Sequence, residues 1–452
     1  MKATLLQTPG KDGDGSARFH SLAKFQSVIF AGVMFCATGL FGADSYIAHE
    51  WGTFTSVQGG NGELLQWRPL QSSELPNFVY DWTKAGMNRG SMIGPKVGLI
   101  TLQRLETPVI YFYGNHAMNV SVDVAFPKGY ITEWYPQATQ IGPTYPLNTN
   151  EPTNGILRES RAVWRNLEIV PQSEYQTGQE DQLPQDARGS HYFAARATGA
   201  NLVRDTLKSP TNSAEVEKFI FYRGAGNFST PLRVTVNSNN VLSVENTGKI
   251  DLAHLFLVLI ETNNASDGPY GVMMEMDALP KGKTVEWQNL DAMKRDGWDR
   301  FPLEKFQGEI SSQMKTALVA EGLFPEEAQA MVNTWKDSWF TEEGVRVLYV
   351  LPRAWTDETL PIAMTPQPNE LTRVMVGRAE IVTPDAEMNL FESLTKAQNG
   401  DAEARAESVN EFKQFGRFAE PALRLALAHA AGTNAVNFAY RLLYPPQPSP
   451  FE

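Results

Sequence analysis

Carboxylates set beside aromatic rings are the most chemically suggestive feature of this chain. His49-Glu50-Trp51, Glu133-Trp134-Tyr135 and the segment carrying Arg353, Trp355, Asp357 and Glu358 each place an acid next to a ring. Rings stack on sugars, and a carboxylate pair can act as acid and base across a glycosidic bond. Glu50, Glu106, Glu133, Asp357 and Glu358 are therefore the catalytic candidates for a polymer hydrolase, with His49, Trp51, Trp134, Arg353 and Trp355 as ligand contacts. Each has a structural alternative. On a strand, His49 and Trp51 face one side and Glu50 the other, so Trp51 can fill a sandwich core while Glu50 satisfies a neighbouring strand or an arginine. Arg104 and Glu106, two residues apart, share a strand face and suit an ion pair.

Histidine offers one metal alternative. His20 falls in the leader described below, His254 in an apolar run and His429 near a helix end, leaving His49, His116 and His191 for a three-histidine site. No His-Glu-x-x-His or His-x-His spacing links any two of them, so no metal and no cofactor is expected. Nucleophile motifs are also missing. No Gly-x-Ser-x-Gly elbow occurs, and Gly90-Ser91-Met92-Ile93-Gly94 has its serine one place off. Ser-x-x-Lys occurs at Ser21, Ser312 and Ser393, the first of them within the leader, so the spacing arises by chance. Gly224-Ala225-Gly226 lacks the third glycine of a phosphate loop and reads as a hairpin turn.

Composition narrows the classes. With 452 residues, 42% hydrophobic and 20% charged, the chain is an ordinary globular protein of two or three domains. The 39 basic and 51 acidic residues give a net charge of −12 with no Lys/Arg-rich run, which removes the electrostatic footprint for nucleic acid. A single cysteine, Cys36, excludes a disulfide framework and a cysteine-ligated metal site.

Residues 1–43 read as a signal peptide. Lys2, Lys11, Arg18 and Lys24 precede the uncharged stretch 27–43, whose apolar centre is shorter than the roughly 20 residues of a permanent span. Membrane contact is then limited to the leader, and the mature protein is expected to be periplasmic or secreted. Loss of Cys36 with the leader suits an oxidising compartment.

The elements that must position the candidates are mostly strands. The expected fold is mainly β (α+β): stacked antiparallel β-sandwich domains with a helical insertion and a C-terminal helical cap. Residues 44–212 form a β-rich N-terminal domain with long loops, in which 46–57 and 64–67 make a hairpin and 118–126 alternates with the period of a half-buried strand. In 97–114, Pro108 marks an edge or a bulge. Residues 213–383 show strands with turns every eight to twelve residues, an immunoglobulin-like rhythm, interrupted by a helical insertion at about 303–340. Pro325 and Glu326-Glu327 sit where a helix's first turn favours them. A Pro-rich loop spans 352–368. Residues 384–444 form the helical cap, and 445–452 a disordered tail.

The strings HEWGTFTSV (49–57), EKFIFYRGAGNF (217–228) and WFTEEGVRVLYVLPRAWTDETLP (339–361) resemble segments of uncharacterised secreted proteins of environmental bacteria. That resemblance implies export and brings no activity and no residue roles. The expectation is an exported β-sandwich protein that binds an envelope or extracellular ligand, carbohydrate among the candidates. The alternative is a secreted hydrolase working through a carboxylate pair.

Overall fold

The computed structural model describes residues 45–70, 74–81, 99–142, 160–174, 183–187, 189–205, 214–262, 268–295, 300–399, 402–428, 439 and 441. The expected leader with Cys36, the 90–94 string, His429 and the expected tail at 445–452 lie outside the described residues.

The fold is mainly β, built of stacked, largely antiparallel sheets with helices inserted before the last strands and following them. Its frame is a ten-stranded sheet. β1 (Tyr46–Gly59) lies at the middle, antiparallel to β3 (Gln103–Gly114) and parallel to β19 (Glu370–Val382). Beyond β3 come β10 (Ile220–Gly226), β5 (Gly129–Tyr135) and β2 (Tyr80–Asp81). Beyond β19 come β17 (Gly344–Leu351), β13 (Leu252–Glu261), β14 (Tyr270–Leu279) and β16 (Phe301–Pro302).

Two smaller sheets cover one face of this frame. One contains β18 (Ile362–Thr365), β4 (Met118–Ala125), β7 (Arg161–Val170), β8 (Leu202–Asp205) and β9 (Glu215–Glu217), with β6 (Gln140–Gly142) on β7. The other contains β11 (Leu232–Val236), β12 (Val241–Asn246) and β15 (Thr284–Asn289), followed by the short α1 (Leu290–Lys294). Tyr46, Ala48, Phe54, Leu105, Ile110 and Phe112 pack against Val122, Val124 and Trp164 of the first and share a core with Val234 and Val244 of the second. We call this the sandwich face.

The opposite, helix face is covered in two places. Trp51, Val109, Tyr111 and Phe221 meet α2 (Leu303–Ala320) and α3 (Pro325–Phe340) through Phe306, Ile310, Met331 and Trp335. Val57, Trp67 and Val382 meet α5 (Pro384–Asn399), α6 (Ala402–Gln414) and α7 (Ala419–Ala428). Coverage on both sides explains why β1 is buried almost throughout, unlike the half-buried β4.

Several expectations change. The boundary at 212/213 falls between strands of one sheet, since β10 pairs with both β3 and β5, and β19 lies beside β1 some 320 residues away in sequence. Strands of the immunoglobulin-like region divide between sheets: β11 and β12 stay with β15, whereas β13, apolar on both faces through LFLVLI, enters the doubly covered sheet. Residues 352–368 are not a plain loop but contain β18 and a short helix, α4 (Arg353–Thr359), begun by Pro352. Gly224-Ala225-Gly226 is no hairpin turn; it ends β10.

Pro108 marks a bulge inside a central strand rather than an edge. Thr107 takes a φ of 49°, and the β1–β3 register shifts between Trp51 and Thr53. Gly52 is required opposite it, because a Cβ there would stand 3.0 Å from the Pro108 Cα.

Candidate functional site

Each acid nominated from sequence is already engaged. Glu50, fully buried on the sandwich face, receives the Tyr222 hydroxyl at 2.5 Å and the Arg373 Nε at 2.5 Å. Arg373 Nη1 donates to Asp357 at 2.7 Å, and Asp357 also takes Arg353 Nε at 2.8 Å. One guanidinium thus clamps Glu50 and Asp357 together. Arg353 additionally donates to the Leu371 carbonyl at 2.5 Å. Glu358, 71% exposed, pairs with Lys128 at 3.6 Å. Buried Glu133 accepts the Thr132 hydroxyl, and Glu106 is held by Arg417 at 2.8 Å and Arg104 at 3.5 Å.

The aromatic candidates pack in cores. Trp51 is buried beneath α3, Trp134 stacks on Tyr80, and Trp355 meets Phe54 edge-on with ring centres 5.3 Å apart. The three histidines go to three places. His49 is buried with Nδ1 2.7 Å from Glu327, His116 is exposed beside Glu174 at 4.0 Å, and His191 tilts over Trp335 and meets Glu74 at 3.4 Å. Glu327 and Trp335 lie eight residues apart on α3, about 12 Å along the helix, so His49 and His191 occupy separate sites. Among the described residues no cluster of three or more His, Cys, Asp or Glu is placed to hold a metal.

Glu327 ties the start of α3 to the sheet. It accepts from the Phe324 backbone N–H at 2.8 Å and the Tyr113 hydroxyl at 2.7 Å, in addition to its contact with His49. Burial, then the neighbouring Glu327, pushes the Tyr113 hydroxyl far above its ordinary range.

Between the two helical packs a belt of buried charge crosses the helix face. Alternation along β3 puts Arg104 and Glu106 there, opposite Thr55 and Thr53; β19 supplies Arg378 and Glu380; β17 supplies Arg346; β10 and β5 supply Arg223 and Glu133. From above, Ser338 of α3 accepts Arg378 and Arg417 N–H groups at 2.6 and 3.2 Å, and the Trp339 carbonyl accepts Arg346 at 3.0 Å. Gly224 lets β10 close on β5 beside Arg223, since a Cβ there would run into the Tyr130 carbonyl oxygen.

On the β17–β19 side every guanidinium nitrogen has a partner. Arg346 forks onto Glu380 through Nε at 3.0 Å and Nη2 at 3.1 Å, and Arg378 meets Glu380 at 2.7 Å and Glu342 at 2.6 Å. Burial opposes charge on Arg378, but Glu342 and Glu380 outweigh it and raise its pKa above the ordinary value. Burial alone would likewise raise Glu106, yet Arg104 and Arg417 together bring it down to about 2.

The β3–β10 side is less complete. Among the described residues, Arg223 Nε and Nη2, Arg417 Nε and Thr53 Oγ1 are buried with no hydrogen-bond partner, and Arg104 Nε has only its 3.5 Å ion pair with Glu106. Sequence reading reached Arg104 and Glu106 and missed Arg223, Arg346, Arg378 and Glu380. The signal was present: single arginines stand in the apolar strands FIFYRGAG and VRVLYV, where only a partner or a ligand makes burial tolerable.

Elsewhere a cleft of about 430 Å³ opens between the ends of β13, β17 and β19 and helices α5 and α6. Glu261, Lys294, Asp385 and Glu411 are among its lining residues, and none of the sequence-nominated residues reaches it.

No protein-family model matches the chain and no curated protein sequence matches it. Among solved structures it is similar to the zebrafish (Danio rerio) Fcho1 Mu homology domain with bound Eps15 peptide, at 8% identity over 75% of this chain and 97% of that one, TM-score 0.29. The yeast delta-COP-I mu-homology domain complexed with a Dsl1 WxWxV peptide matches at 9% identity over 75% and 96%, TM-score 0.23. At such scores the superpositions do not establish a common fold.

Proposed function

We propose that this chain is an exported β-sandwich protein that binds a ligand of the cell envelope or the extracellular space without turning it over. The observation that carries this reading is the engagement of the candidate acids. A carboxylate whose oxygens already receive arginine N–H or hydroxyl groups is not placed to take up or deliver a substrate proton. Glu50 and Asp357, the two drawn together, meet on a single guanidinium rather than across a gap that would admit a sugar. Export is supported by the basic start and the uncharged stretch at 27–43, and nucleic acid is disfavoured by the acidic balance. Among the described residues no helix is long and apolar enough to cross a membrane.

Two measurements test this. Fractionation of producing bacteria should find a shortened product in the periplasm or medium. Incubation with a panel of envelope polysaccharides should release no new reducing ends. Turnover that disappears in Asp357→Asn would instead establish the hydrolase.

A further inference from the structure

The incomplete half of the belt has one property that the rest of the molecule helps to interpret. Where arginine meets carboxylate in this protein, the paired edge is repeatedly the one formed by Nε and Nη2. Arg346 presents it to Glu380 at 3.0 and 3.1 Å, and Arg196 presents it to Glu217 at 2.9 and 2.7 Å. That edge carries two parallel N–H groups matched to the two oxygens of a carboxylate. In Arg223 the same two nitrogens are the ones without a hydrogen-bond partner among the described residues, and the residue is only 2% exposed. The other groups on this side without a hydrogen-bond partner among the described residues, Arg417 Nε and Thr53 Oγ1, can both donate. The belt holds five arginines (104, 223, 346, 378 and 417) beside Glu106, Glu133, Glu342 and Glu380, and Glu74, which contacts His191, also acts electrostatically on Arg104 and Arg417.

We infer that Arg223 anchors a binding site for the carboxylate group of a small-molecule ligand. Its Nε and Nη2 supply the fork for the two oxygens. This deepens the binding reading above, on which it rests, by naming the chemistry of what is bound.

The test uses the purified protein with three probes, succinate, acetate and inorganic phosphate, against sodium chloride of matched ionic strength at pH 7. A saturable rise in Tm with both carboxylates, at least tenfold weaker with phosphate, is the expected result. Arg223→Lys keeps the charge and loses the fork, so it should raise the half-saturating succinate concentration at least tenfold, and Arg223→Gln should abolish the response. If the glutamine variant does not fold, the lysine variant and the wild-type selectivity decide. A flat wild-type response, equal shifts with all anions, or an unchanged response in Arg223→Lys overturns the site while leaving the binding reading intact. Polysaccharide turnover would overturn that reading while leaving this site in place.

Discussion

The two halves of the buried belt share residue types, depth and a covering helix, yet they differ in completeness. Around β17 and β19, Arg346 and Arg378 place every nitrogen on a carboxylate, a carbonyl or a hydroxyl. Around β3 and β10, Arg223, Arg417 and Thr53 leave donors unmatched among the described residues. Burying a charge is costly unless it is paired and hydrogen-bonded. The complete half is therefore explained by folding alone, whereas the incomplete half carries a cost that folding does not offset. The contrast separates a structural network from a candidate site built of the same residues.

The largest effect is expected in the complete half. Glu380→Ala strips the carboxylate from two buried guanidiniums, and removing one member of a buried pair costs about 3–5 kcal/mol. The urea midpoint should fall accordingly; a loss under about 1 kcal/mol would mean that the network does not hold the sheet. Next comes acid. Glu106 sits at about 2 in the folded chain against an ordinary 4.5. A depressed carboxylate stabilises the fold above its unfolded pKa and loses that contribution as pH falls through the folded one, so roughly 3 kcal/mol present at pH 7 should vanish between about pH 4.5 and 2. Glu106→Gln should flatten that limb of the stability curve, and an unchanged slope would break the assignment.

A change of opposite sign is expected at Arg223. Arg223→Met in chloride buffer removes buried N–H groups that have no hydrogen-bond partner among the described residues and should stabilise the protein by about 1–3 kcal/mol in chemical denaturation. Destabilisation would show that its guanidinium is satisfied after all and would erase the difference between the halves. The smallest effect belongs outside the belt. Glu358→Gln breaks only the exposed contact with Lys128, and its effect should stay under about 0.5 kcal/mol. A larger loss would make α4 dependent on a surface charge.

The elements were largely legible in sequence because their periods are. Apolar spacing at three and four marks α2 and α3, strict alternation marks β4, and Pro325 with Glu326 and Glu327 marks a helix start. The arrangement of the strands was not. Nothing local in β1 shows that its parallel neighbour is β19, because that pairing depends on two distant strands each needing both faces covered. The site was legible only in part. Aromatic and acidic neighbours drew attention to Glu50 and Trp355, which the fold uses for an ion pair and a core contact. Arg223 lies beside no acid in sequence and went unnoticed.

By itself the sequence determined the mainly β composition of the fold, the helical insertion, the absence of a cysteine framework and the basic-then-apolar pattern of residues 1–43. These follow from residue type and spacing along one segment. Only the tertiary structure decided which charges cancel. Arg373 meets Glu50 and Asp357, Arg417 meets Glu106, and Arg223 meets no described acid on its fork edge, because strands and helices far apart in the chain converge on one sheet. Compensation of a buried charge acts over a few ångströms of space, and chain order does not encode that distance.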